Sequence, residues 1–395
     1  MMGCNAPAMI NVTKLLCGTP RTAGAGDGEW VGASGSGRNP AVVWNITRRC
    51  NLKCLQCYSD SSTKHFPGEL TLEEMVAVVD DLSGCGIRTI LLSGGEPMLH
   101  PHFFDVAGYA VERGVRVSVF SNGSRINSHA AERLRDLGVG YVGLSLDGIN
   151  GDHDAFRGRP GAFKKTVDAL RHCRGAGQKA GLRIKISKHN VAHLPEILSF
   201  IEEEEIPSVC FCHPVISGRG AELGRIPAAT ARTALRMIAD AVLRWNREGS
   251  TREVLTADQP ADGVFYWLRM KRRDPKRAEE IWRSLNRNGN KHGRPGLGIA
   301  NIDSQGDVHA NQFWDTHTLG NVKEKPFSRI WETSQNDEIL REFHDWRPRL
   351  KGRCGECRFQ ELCGGGFRVR ALKQFGDLWA EDPGCYLHDY EIAGS

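Results

Sequence analysis

Short apolar runs alternate with amphipathic segments along the chain from residue 41 to about residue 248. This alternation predicts βα units that build a parallel sheet. Helical patterns lie between the predicted strands, for example at 71–82, where Thr71 and Glu74 have the spacing of a capping box. The predicted strands number six, too few for a closed eight-stranded barrel. They are 41–47, 88–93, 115–121, 141–146, 181–187 and 208–213.

Three cysteines, Cys50, Cys54 and Cys57, directly follow the first predicted strand. A loop of this length can wrap around an iron–sulfur cubane and present three sulfurs to it. Three protein ligands leave one iron of a four-iron cluster open to a ligand that is not protein. The alternative is a structural zinc site, although such sites usually take four protein ligands, often as two separated pairs. The triplet alone is compatible with either an iron–sulfur cluster or a zinc ion.

A glycine-rich turn, Gly94-Gly95-Glu96-Pro97, closes the second predicted strand. By itself this tetrad is typical of an ordinary turn. Behind a cysteine triplet it is far more informative, and the two together resemble the signature of the radical S-adenosylmethionine (SAM) enzymes. The resemblance implies an α/β fold with a partial (β/α)6 barrel. It also implies a SAM cofactor and a [4Fe–4S] cluster held by the three cysteines.

Polar residues end several of the later predicted strands. The carboxyl ends of parallel strands meet at one edge of a sheet, and that edge usually carries the site. Taken singly, such residues are more often turn formers. The resemblance assigns them to SAM: Gly94, Gly95 and Glu96 to its amino group, Ser121, Asn122, Ser145 and Asp147 to its ribose and methionyl parts, and Arg183 to its carboxylate.

Gln56 departs from the pattern of the radical SAM enzymes, which commonly place an aromatic residue or a histidine just before the third cysteine. That residue faces the adenine of SAM. An amide can still form a hydrogen bond with the edge of a base, and the neighbouring Tyr58 could stack on it. The sequence therefore leaves the mode of adenine recognition open.

A second set of cysteines, Cys354, Cys357, Cys363 and Cys385, lies near the end of the chain. Four thiols are a complete ligand set for a [4Fe–4S] cluster or for a zinc ion. Their spacing resembles the C-terminal SPASM/Twitch-type domain of radical SAM enzymes, which holds an auxiliary iron–sulfur cluster. The resemblance therefore implies a second [4Fe–4S] cluster.

The predicted organisation has four parts. Residues 1–40 are expected to be an N-terminal extension with a flexible Gly/Ser/Ala-rich linker, and 41–250 the radical SAM core. Residues 251–297 form a basic connecting segment, in which 269–294 carry ten Lys/Arg against three Asp/Glu. That charge is typical of a solvated helix face, and the alternative is a lid that attracts carboxylates. Residues 298–395 are the auxiliary-cluster domain.

Charge and hydropathy indicate which kinds of partner the protein has and in which cellular compartment it is found. The net charge of +5 suits an acidic small molecule and is weak evidence for nucleic acid, so no nucleic-acid partner is expected. No apolar run approaches the length of a membrane span, and the first residues lack the apolar stretch of an export signal. The chain is expected to be cytoplasmic. Its thirteen cysteines fall mainly in two clusters, which favours metal over disulfides.

Longer strings narrow the resemblance to the NirJ and AhbC group, radical SAM proteins of haem d1 synthesis and of the siroheme-dependent haem pathway. The likeness covers nearly the whole chain from Met9. This chain departs from the pattern of that group at Gln56, Pro214, Ala310 and the pair Gly366-Phe367. The strings are 42–50 (VVWNITRRC), 217–220 (SGRG), 261–264 (ADGV), 302–309 (IDSQGDVH), 317–322 (HTLGNV), 351–354 (KGRC) and 379–387 (WAEDPGCYL).

This resemblance implies a reaction. A reduced cluster cleaves SAM to a 5′-deoxyadenosyl radical, which takes hydrogen from a side chain of an iron tetrapyrrole such as 12,18-didecarboxysiroheme. A carbon–carbon bond at the macrocycle then breaks. NirJ-type enzymes remove propionate-derived side chains and AhbC-type enzymes remove acetates, and the residues do not separate the two. An electron donor such as flavodoxin or ferredoxin is also implied.

Three histidines follow strand-like runs and are candidate catalytic residues or axial ligands of the iron: His213, His309 and His317. Each alone is more often a surface or hydrogen-bonded histidine. Two other classes of protein remain open. A radical SAM peptide maturase shares both cluster motifs but would need a peptide-binding module, and no added N-terminal domain of that size is expected. A non-enzymatic metal-binding or nucleic-acid module would leave the glycine turn and the six βα units unexplained.

Overall fold

The computed structural model describes residues 9–18, 39–288, 298–343 and 346–393. Within these residues eleven strands join in one sheet, in the order β1-β8-β7-β6-β5-β4-β3-β2-β9-β10-β11. The strands are β1 (Ile10–Asn11), β2 (Ala41–Asn45), β3 (Thr89–Ser93), β4 (Arg116–Ser121), β5 (Tyr141–Ser145), β6 (Ala180–Lys185), β7 (Ser208–Cys212), β8 (Glu253–Ala257), β9 (Ile299–Ile302), β10 (Asp307–His309) and β11 (Gly320–Asn321).

The centre of the sheet is parallel. Each neighbouring pair from β2 to β8 is parallel, and β9 runs parallel to β2 on the other side. The antiparallel pairs among the described strands are β1 with β8, β9 with β10, and β10 with β11. The sheet is open in the part of the chain that the structure describes, with β1 and β11 at its edges. The parallel sheet extends beyond residue 250, because β8 pairs with β7.

Helices connect the strands and cover one face of the sheet. Among the described residues they are α1 (Val12–Cys17), α2 (Leu72–Gly84), α3 (Phe103–Glu112), α4 (Ser128–Asp136), α5 (Gly151–Arg157), α6 (Ala162–Ala176), α7 (Leu194–Glu203), α8 (Ala228–Arg247), α9 (Ala261–Arg273), α10 (Pro275–Asn288), α11 (Phe327–Ser334), α12 (Glu338–Glu342), α13 (Gly352–Gly355), α14 (Gln360–Cys363), α15 (Arg368–Phe375) and α16 (Asp389–Ile392).

The capping box predicted for α2 is present. The amide N–H of Glu74 donates to the Thr71 hydroxyl at 3.3 Å, and the Thr71 N–H donates to the Glu74 carboxylate at 2.8 Å. Two free donors at the start of the helix are thereby satisfied, which is typically worth about 1 kcal/mol. The helix continues two residues beyond the predicted end, to Gly84.

Side chains alternate between the two faces of the central strands. Val42 and Trp44 of β2 belong to the large core under the helices, whereas Val43 belongs to a separate cluster on the opposite, inner face. On β6, Leu182 and Ile184 likewise enter the helix-side core. Successive residues of a strand point to opposite faces. The inner face therefore receives the intervening polar residues.

The basic segment forms two helices. α10 packs on α9 and also contacts α1, and its residues Ala278 and Ile281 are buried. The Arg277 guanidinium donates to the backbone carbonyl of Leu15 in α1 at 3.1 Å. At least one basic side chain of this segment therefore binds the N-terminal helix α1. The predicted linker, Gly18 to Asn39, lies outside the described residues except for its two end residues, and the stretch 289–297 lies outside them too.

The last part of the chain has its own apolar core, which contains the aromatic residues Trp314, Phe343 and Trp379. It contacts the rest of the chain through β9, which extends the parallel sheet, and through α11, which packs on α2. The Ser328 hydroxyl of α11 donates to the Asp81 carboxylate at 2.6 Å. No helix in the described ranges is long and apolar enough to cross a membrane.

Candidate functional site

The loop that follows β2 brings the first three cysteines to one cavity. The thiols of Cys50, Cys54 and Cys57 all line it. The amide N–H of Leu52 donates to the Cys50 sulfur, and the amide N–H of Ser61 donates to the Cys57 sulfur, each at 3.4 Å. Hydrogen bonds to sulfur are a usual feature of iron–sulfur sites, where they tune the potential of the cluster. The loop can therefore hold such a cluster.

The third sulfur has a charged donor. Arg157, at the end of α5, donates to the Cys54 sulfur at 3.5 Å and forms a buried ion pair with Asp147. Burial raises the pKa of the Cys54 thiol, and the charge of Arg157 opposes that shift. Burial also raises the pKa of Cys50 to about 12. A metal ion that deprotonates such thiols by coordination overcomes this preference for the neutral form.

The glycine turn is held against the cysteine loop by its backbone. The N–H of Gly95 donates to the Thr47 carbonyl at 2.7 Å, and the N–H of Glu96 donates to the Arg49 carbonyl at 2.8 Å. A Cβ on Gly94 would lie 2.3 Å from the Thr47 carbonyl oxygen, and a Cβ on Gly95 would lie 2.3 Å from that of Arg49. Only glycine permits this approach. The turn therefore fixes the start of the cysteine loop.

Glu96 is fully buried and bonded to the end of β4. Its two carboxylate oxygens accept hydrogen bonds from the Ser121 hydroxyl and the Asn122 amide N–H, each at 2.8 Å. Burial raises the pKa of this carboxyl to about 7, even though these hydrogen bonds lower it. The predicted contact of Glu96 with the amino group of SAM stays a prediction. The structure shows that the side chain joins the ends of β3 and β4.

The strand register places the other predicted SAM residues at one edge of the sheet. Ser145 of β5 is the register partner of Arg183 on β6, and Lys185 is the partner of Cys212 on β7. All four line the same cavity. The Arg183 guanidinium lies 3.9 Å above the ring of Phe120 and donates to the Cys212 sulfur at 3.6 Å. This arrangement fits a cation held in place to meet an anionic ligand group.

Gln56 and Tyr58 differ in their surroundings. The Gln56 side chain is buried and its Nε2 donates to the Asp147 carboxylate at 2.6 Å. Because the carboxylate accepts, the amide oxygen must face away, and it has no protein partner among the described residues. The Tyr58 hydroxyl instead donates to Asn45 at 2.9 Å, and its ring packs edge-on against Phe313. The free amide oxygen makes Gln56 the better candidate for contact with a base.

The cavity that these residues line opens to solvent and comprises about 1090 Å³ when the solvent at its mouth is included. Gly94, Gly95, Ser121, Asn122, Ser145, Asp147 and Arg183 all line it with the three cysteines. The buried Gln56 oxygen and the sulfur-directed N–H groups match the donors and acceptors of SAM and of a cluster. The residues present therefore fit both groups.

Asp258 also lines this cavity, although no motif in the sequence points to this residue. It follows β8 with φ of +67°, a left-handed backbone conformation that is strained for a residue other than glycine. Its side chain is almost fully buried, and burial raises the pKa of the carboxyl, with Arg183 opposing the shift. Strained residues in cavities are often functional.

Arg219 is a second residue that sequence reasoning missed. Its guanidinium donates to the carbonyls of Cys54 and Ser61 at 3.2 and 3.0 Å. A Cβ on the neighbouring Gly218 would lie 2.5 Å from the Cys57 carbonyl oxygen. The segment after β7 thus packs against the cysteine loop, and Arg219 lines the cavity with the three cysteines. The motif at 217–220 does not by itself predict this contact, because the contact depends on the fold.

The four C-terminal cysteines meet at a second cavity, with a volume of about 460 Å³. Four thiols that line one cavity are a complete ligand set for a [4Fe–4S] cluster. The Asp382 N–H donates to the Cys354 sulfur at 3.3 Å and the Phe359 N–H to the Cys357 sulfur at 3.4 Å.

The three candidate histidines have protein partners. The buried His213 imidazole lies 3.0 Å from the Asp262 carboxylate and stacks on Tyr386. His309 Nδ1 lies 2.9 Å from the His317 carbonyl oxygen, and His317 Nε2 lies 3.0 Å from the Asp337 carboxylate. None of the three lines either cysteine cavity as described. Their role as catalytic residues or axial ligands stays a prediction.

Comparison with known proteins agrees with this geometry. The family model of the radical SAM superfamily matches residues 44–201, and that of the SPASM iron–sulfur cluster-binding domain matches residues 296–358. The chain is 39% identical to the Fe-coproporphyrin III synthase of Methanosarcina barkeri, over 97% of this chain and 99% of that protein. It is also 39% identical to the pre-heme d1 synthase of Dinoroseobacter shibae, over 88% of this chain and 86% of that protein.

The fold is shared with solved radical SAM structures. SuiB of Streptococcus suis, solved with bound S-adenosylmethionine, superimposes with a TM-score of 0.69 at 15% identity, covering 89% of this chain and 78% of SuiB. The predicted α/β fold with a partial barrel is confirmed. The radical SAM domain binds SAM and a [4Fe–4S] cluster, and the SPASM domain binds further iron–sulfur clusters. The chain belongs to the radical SAM superfamily, in the haem-biosynthesis (NirJ and AhbC) group with a C-terminal SPASM domain.

Proposed function

We propose that this enzyme removes carboxylate-bearing side chains from an anionic iron tetrapyrrole such as 12,18-didecarboxysiroheme. The observation that carries the proposal is the 39% identity to Fe-coproporphyrin III synthase along almost the full length of both chains. The cavity supports it, since Arg183 and Lys185 line it beside the three thiols. Cations are the natural partners of substrate carboxylates.

Cys50, Cys54 and Cys57 are the proposed ligands of the first [4Fe–4S] cluster. When bound, that cluster and SAM supply a 5′-deoxyadenosyl radical, which is the chemistry of the cofactor rather than of the protein. The protein holds the three sulfurs in one cavity and lines them with N–H donors from Leu52, Ser61 and Arg157. Arg157 also keeps a positive charge beside the cluster, which favours its reduced form.

Several residues are proposed to orient SAM. The backbone at Gly94 and Gly95 lies open to the cavity and can meet the amino group, and Arg183 can pair with the carboxylate. The free Gln56 oxygen can accept from the adenine amine. Ser121, Asn122, Ser145 and Asp147 are proposed to lie near the ribose and methionyl parts.

Two carboxylates near SAM have a positioning role in this proposal. Asp147 accepts from Gln56 and from the Lys185 N–H at 3.0 Å, and it pairs with Arg157. With these partners it holds the adenine contact and the Cys54 donor in one orientation. Glu96 acts in the same way on Ser121 and Asn122, through the hydrogen bonds it accepts from both.

Cys354, Cys357, Cys363 and Cys385 are the proposed ligands of the second [4Fe–4S] cluster. It would exchange electrons with the reacting substrate or form part of the pocket wall. A one-electron donor such as flavodoxin or ferredoxin is the proposed partner. We place the reaction in the cytoplasm, because iron–sulfur ligation requires reduced thiols, and each described cysteine is free.

Anaerobic turnover of 12,18-didecarboxysiroheme, followed by mass spectrometry of the tetrapyrrole, tests the proposal. Loss of acetate or of propionate-derived side chains, together with one 5′-deoxyadenosine per cleavage, is expected. The mass lost also decides between the two reactions, which the equal identity to both relatives leaves open. Formation of 5′-deoxyadenosine with a precursor peptide, and no change in the tetrapyrrole, would replace the proposal with a peptide maturase.

A further inference from the structure

Asp258 has a backbone conformation that residues other than glycine seldom adopt. It follows β8 with φ of +67°. Two contacts hold the chain there: the Arg370 guanidinium donates to the Asp258 carbonyl at 2.7 Å, and the Gln259 side chain donates to the Gly384 carbonyl at 2.9 Å. Such strain persists only where the surrounding structure enforces it, and it concentrates at functional sites. Asp258 is therefore a candidate for contact with a ligand.

The Asp258 side chain is buried without a partner. Its exposed fraction is 6%, and it lines the SAM cavity. Among the described residues no hydrogen bond or ion pair ends on its carboxylate, because the contact with Arg370 is made by the backbone carbonyl. Burying a polar group without a hydrogen bond is costly. A ligand that completes the site explains both the backbone strain and the unpaired carboxyl.

Asp258 lies beyond the strands that carry the proposed SAM residues. Those residues end or follow β3 to β6, from the glycine turn to Arg183, whereas Asp258 follows β8, two strands farther along the sheet. Gln312 and Phe313, from the C-terminal part of the chain, line the same cavity. We propose that Asp258 is a substrate-binding residue, whose carboxyl donates a hydrogen bond to a carboxylate of the tetrapyrrole. The inference rests on the proposed function and names a residue that recognises its substrate.

The chemistry of the substrate determines the direction of this hydrogen bond. The polar groups on the rim of an iron tetrapyrrole such as 12,18-didecarboxysiroheme are carboxylates, which only accept. Asp258 can bind such a group only as a protonated carboxyl, which donates. Burial raises the pKa of the Asp258 carboxyl and so favours the protonated form.

Charged groups around Asp258 act on the same equilibrium. The cations that oppose the rise in its pKa are Arg183, Lys185, Arg370 and, when protonated, His213. The thiols of Cys210 and Cys212 also interact with it electrostatically. A bound substrate carboxylate is a second acid in the same site, and it raises the pKa of Asp258 further. The proton is therefore held most firmly when the substrate is bound.

This contact gives Asp258 a role in orienting the substrate. The macrocycle carries several similar carboxylate side chains, and the one bound by Asp258 is fixed within the proposed SAM cavity. The neighbouring groups of the ring are fixed with it. Placing a reacting group within reach of a catalytic group accounts for a large share of the rate in enzymes.

The test compares Asp258→Gly and Asp258→Asn with the parent, all as holoenzyme with oxidised clusters, so that SAM is not cleaved. Asparagine adopts positive φ more readily than most residues and keeps a hydrogen-bond donor. The matched control is Glu205→Gly, because Glu205 is an exposed carboxylate with φ of +49°. The affinities for 12,18-didecarboxysiroheme and for SAM are measured separately without oxygen, the first by absorbance titration.

Asp258→Gly should bind the tetrapyrrole about tenfold more weakly than the parent and should bind SAM equally well. Its melting temperature should rise by about 2 °C, because both the strain and the unpaired buried carboxyl are removed. Glu205→Gly should also melt at a higher temperature, but with unchanged affinity for the tetrapyrrole. Unchanged tetrapyrrole affinity in Asp258→Gly, or a loss of SAM affinity alone, would refute the role of Asp258 and leave the proposed function standing. A parent that binds no tetrapyrrole would refute both.

The pH dependence of binding separates a donating carboxyl from a side chain that only shapes the cavity. The affinity of the parent for the tetrapyrrole should fall as the pH rises through the pKa of Asp258, because the ionised carboxylate repels the substrate. Asp258→Asn should bind within about twofold of the parent at the acidic end and lose this part of the pH dependence, because its amide donates at every pH. Identical pH profiles for the parent and Asp258→Asn would refute the hydrogen bond from Asp258.

Discussion

Arg370 and Asp382 form a buried ion pair, in which the guanidinium donates to both carboxylate oxygens at 2.9 and 2.8 Å. The same guanidinium donates to the backbone carbonyl of Asp258 at 2.7 Å, and the Asp382 N–H donates to the Cys354 sulfur. This pair therefore joins the wall of the C-terminal cysteine cavity to the end of β8, where Asp258 enters the SAM cavity. These contacts connect the two cysteine cavities.

Replacing Arg370 with Met should destabilise this junction. The Asp382 carboxylate would stay buried without its partner, and breaking a buried pair from one side typically costs about 3–5 kcal/mol. We expect a lower melting temperature and fewer irons in the C-terminal cluster. The control is Lys351→Met, which removes an exposed ion pair with Asp377 worth about 0–1 kcal/mol. Equal stability of the two variants would contradict a structural role for the buried pair.

Replacing Gly95 with Ala should impair assembly of the first cluster. The added Cβ would lie 2.3 Å from the Arg49 carbonyl oxygen, so the start of the cysteine loop would have to move. Gly84→Ala, at the end of α2, is the matched control, because no atom lies within 4 Å of its Cβ position. Iron content after anaerobic reconstitution should fall for Gly95→Ala and match the parent for Gly84→Ala. Full iron content in Gly95→Ala would show that the close approach is not required.

Glu96 should make stability fall as the pH rises. Burial raises its pKa to about 7 in the folded protein, whereas an unfolded glutamate has a pKa of about 4.3. Between these values the folded state holds a proton that the unfolded state lacks, so the free energy of unfolding decreases by roughly 4 kcal/mol as the pH rises. Glu96→Gln should flatten the dependence of melting temperature on pH from about 4.5 to 7. Exposed Glu132→Gln is the control, and an unchanged slope in Glu96→Gln would contradict the assigned shift.

The sequence predicted the elements whose signals are local. The first six predicted strands and the capping box of α2 are present because apolar runs and Thr71-x-x-Glu74 specify them within a few residues. The meeting of the cysteine loop and the glycine turn followed from the parallel order of β2 and β3. β8 was not predicted: its five residues, Glu253–Ala257, begin with a charge and carry little apolar pattern.

The polar contacts between residues far apart in the chain could not be predicted from local sequence patterns. Arg157 and Arg219 contact the cysteine loop from positions about one hundred or more residues later, and arginines in a sequence are normally surface residues. The contact of Glu96 with SAM stays a prediction, whereas its hydrogen bonds with Ser121 and Asn122 depend on where β3 and β4 end. Such contacts are decided by tertiary packing, so only the fold could reveal them.

Replacing Arg157 with Met should affect both stability and the first cluster. The change removes the donor to the Cys54 sulfur and leaves Asp147 without its ion-pair partner. We expect the reduction potential of the cluster to fall, because a nearby positive charge no longer stabilises the reduced state. Arg159→Met is the control, since that exposed guanidinium donates only to the Asn51 carbonyl in the described contacts. A redox titration followed by electron paramagnetic resonance measures the potential, and identical values for both variants would contradict the proposed role.

The most direct test of the central claim is the combined replacement of Cys50, Cys54 and Cys57 with Ala, with iron and 5′-deoxyadenosine measured in the same anaerobic preparation. The parent should hold about eight irons, four in each cluster, and should cleave SAM when reduced. The variant should keep about four irons, bound by the C-terminal cysteines, and form no 5′-deoxyadenosine. Continued formation of 5′-deoxyadenosine by this variant would show that these thiols do not hold the cluster that cleaves SAM.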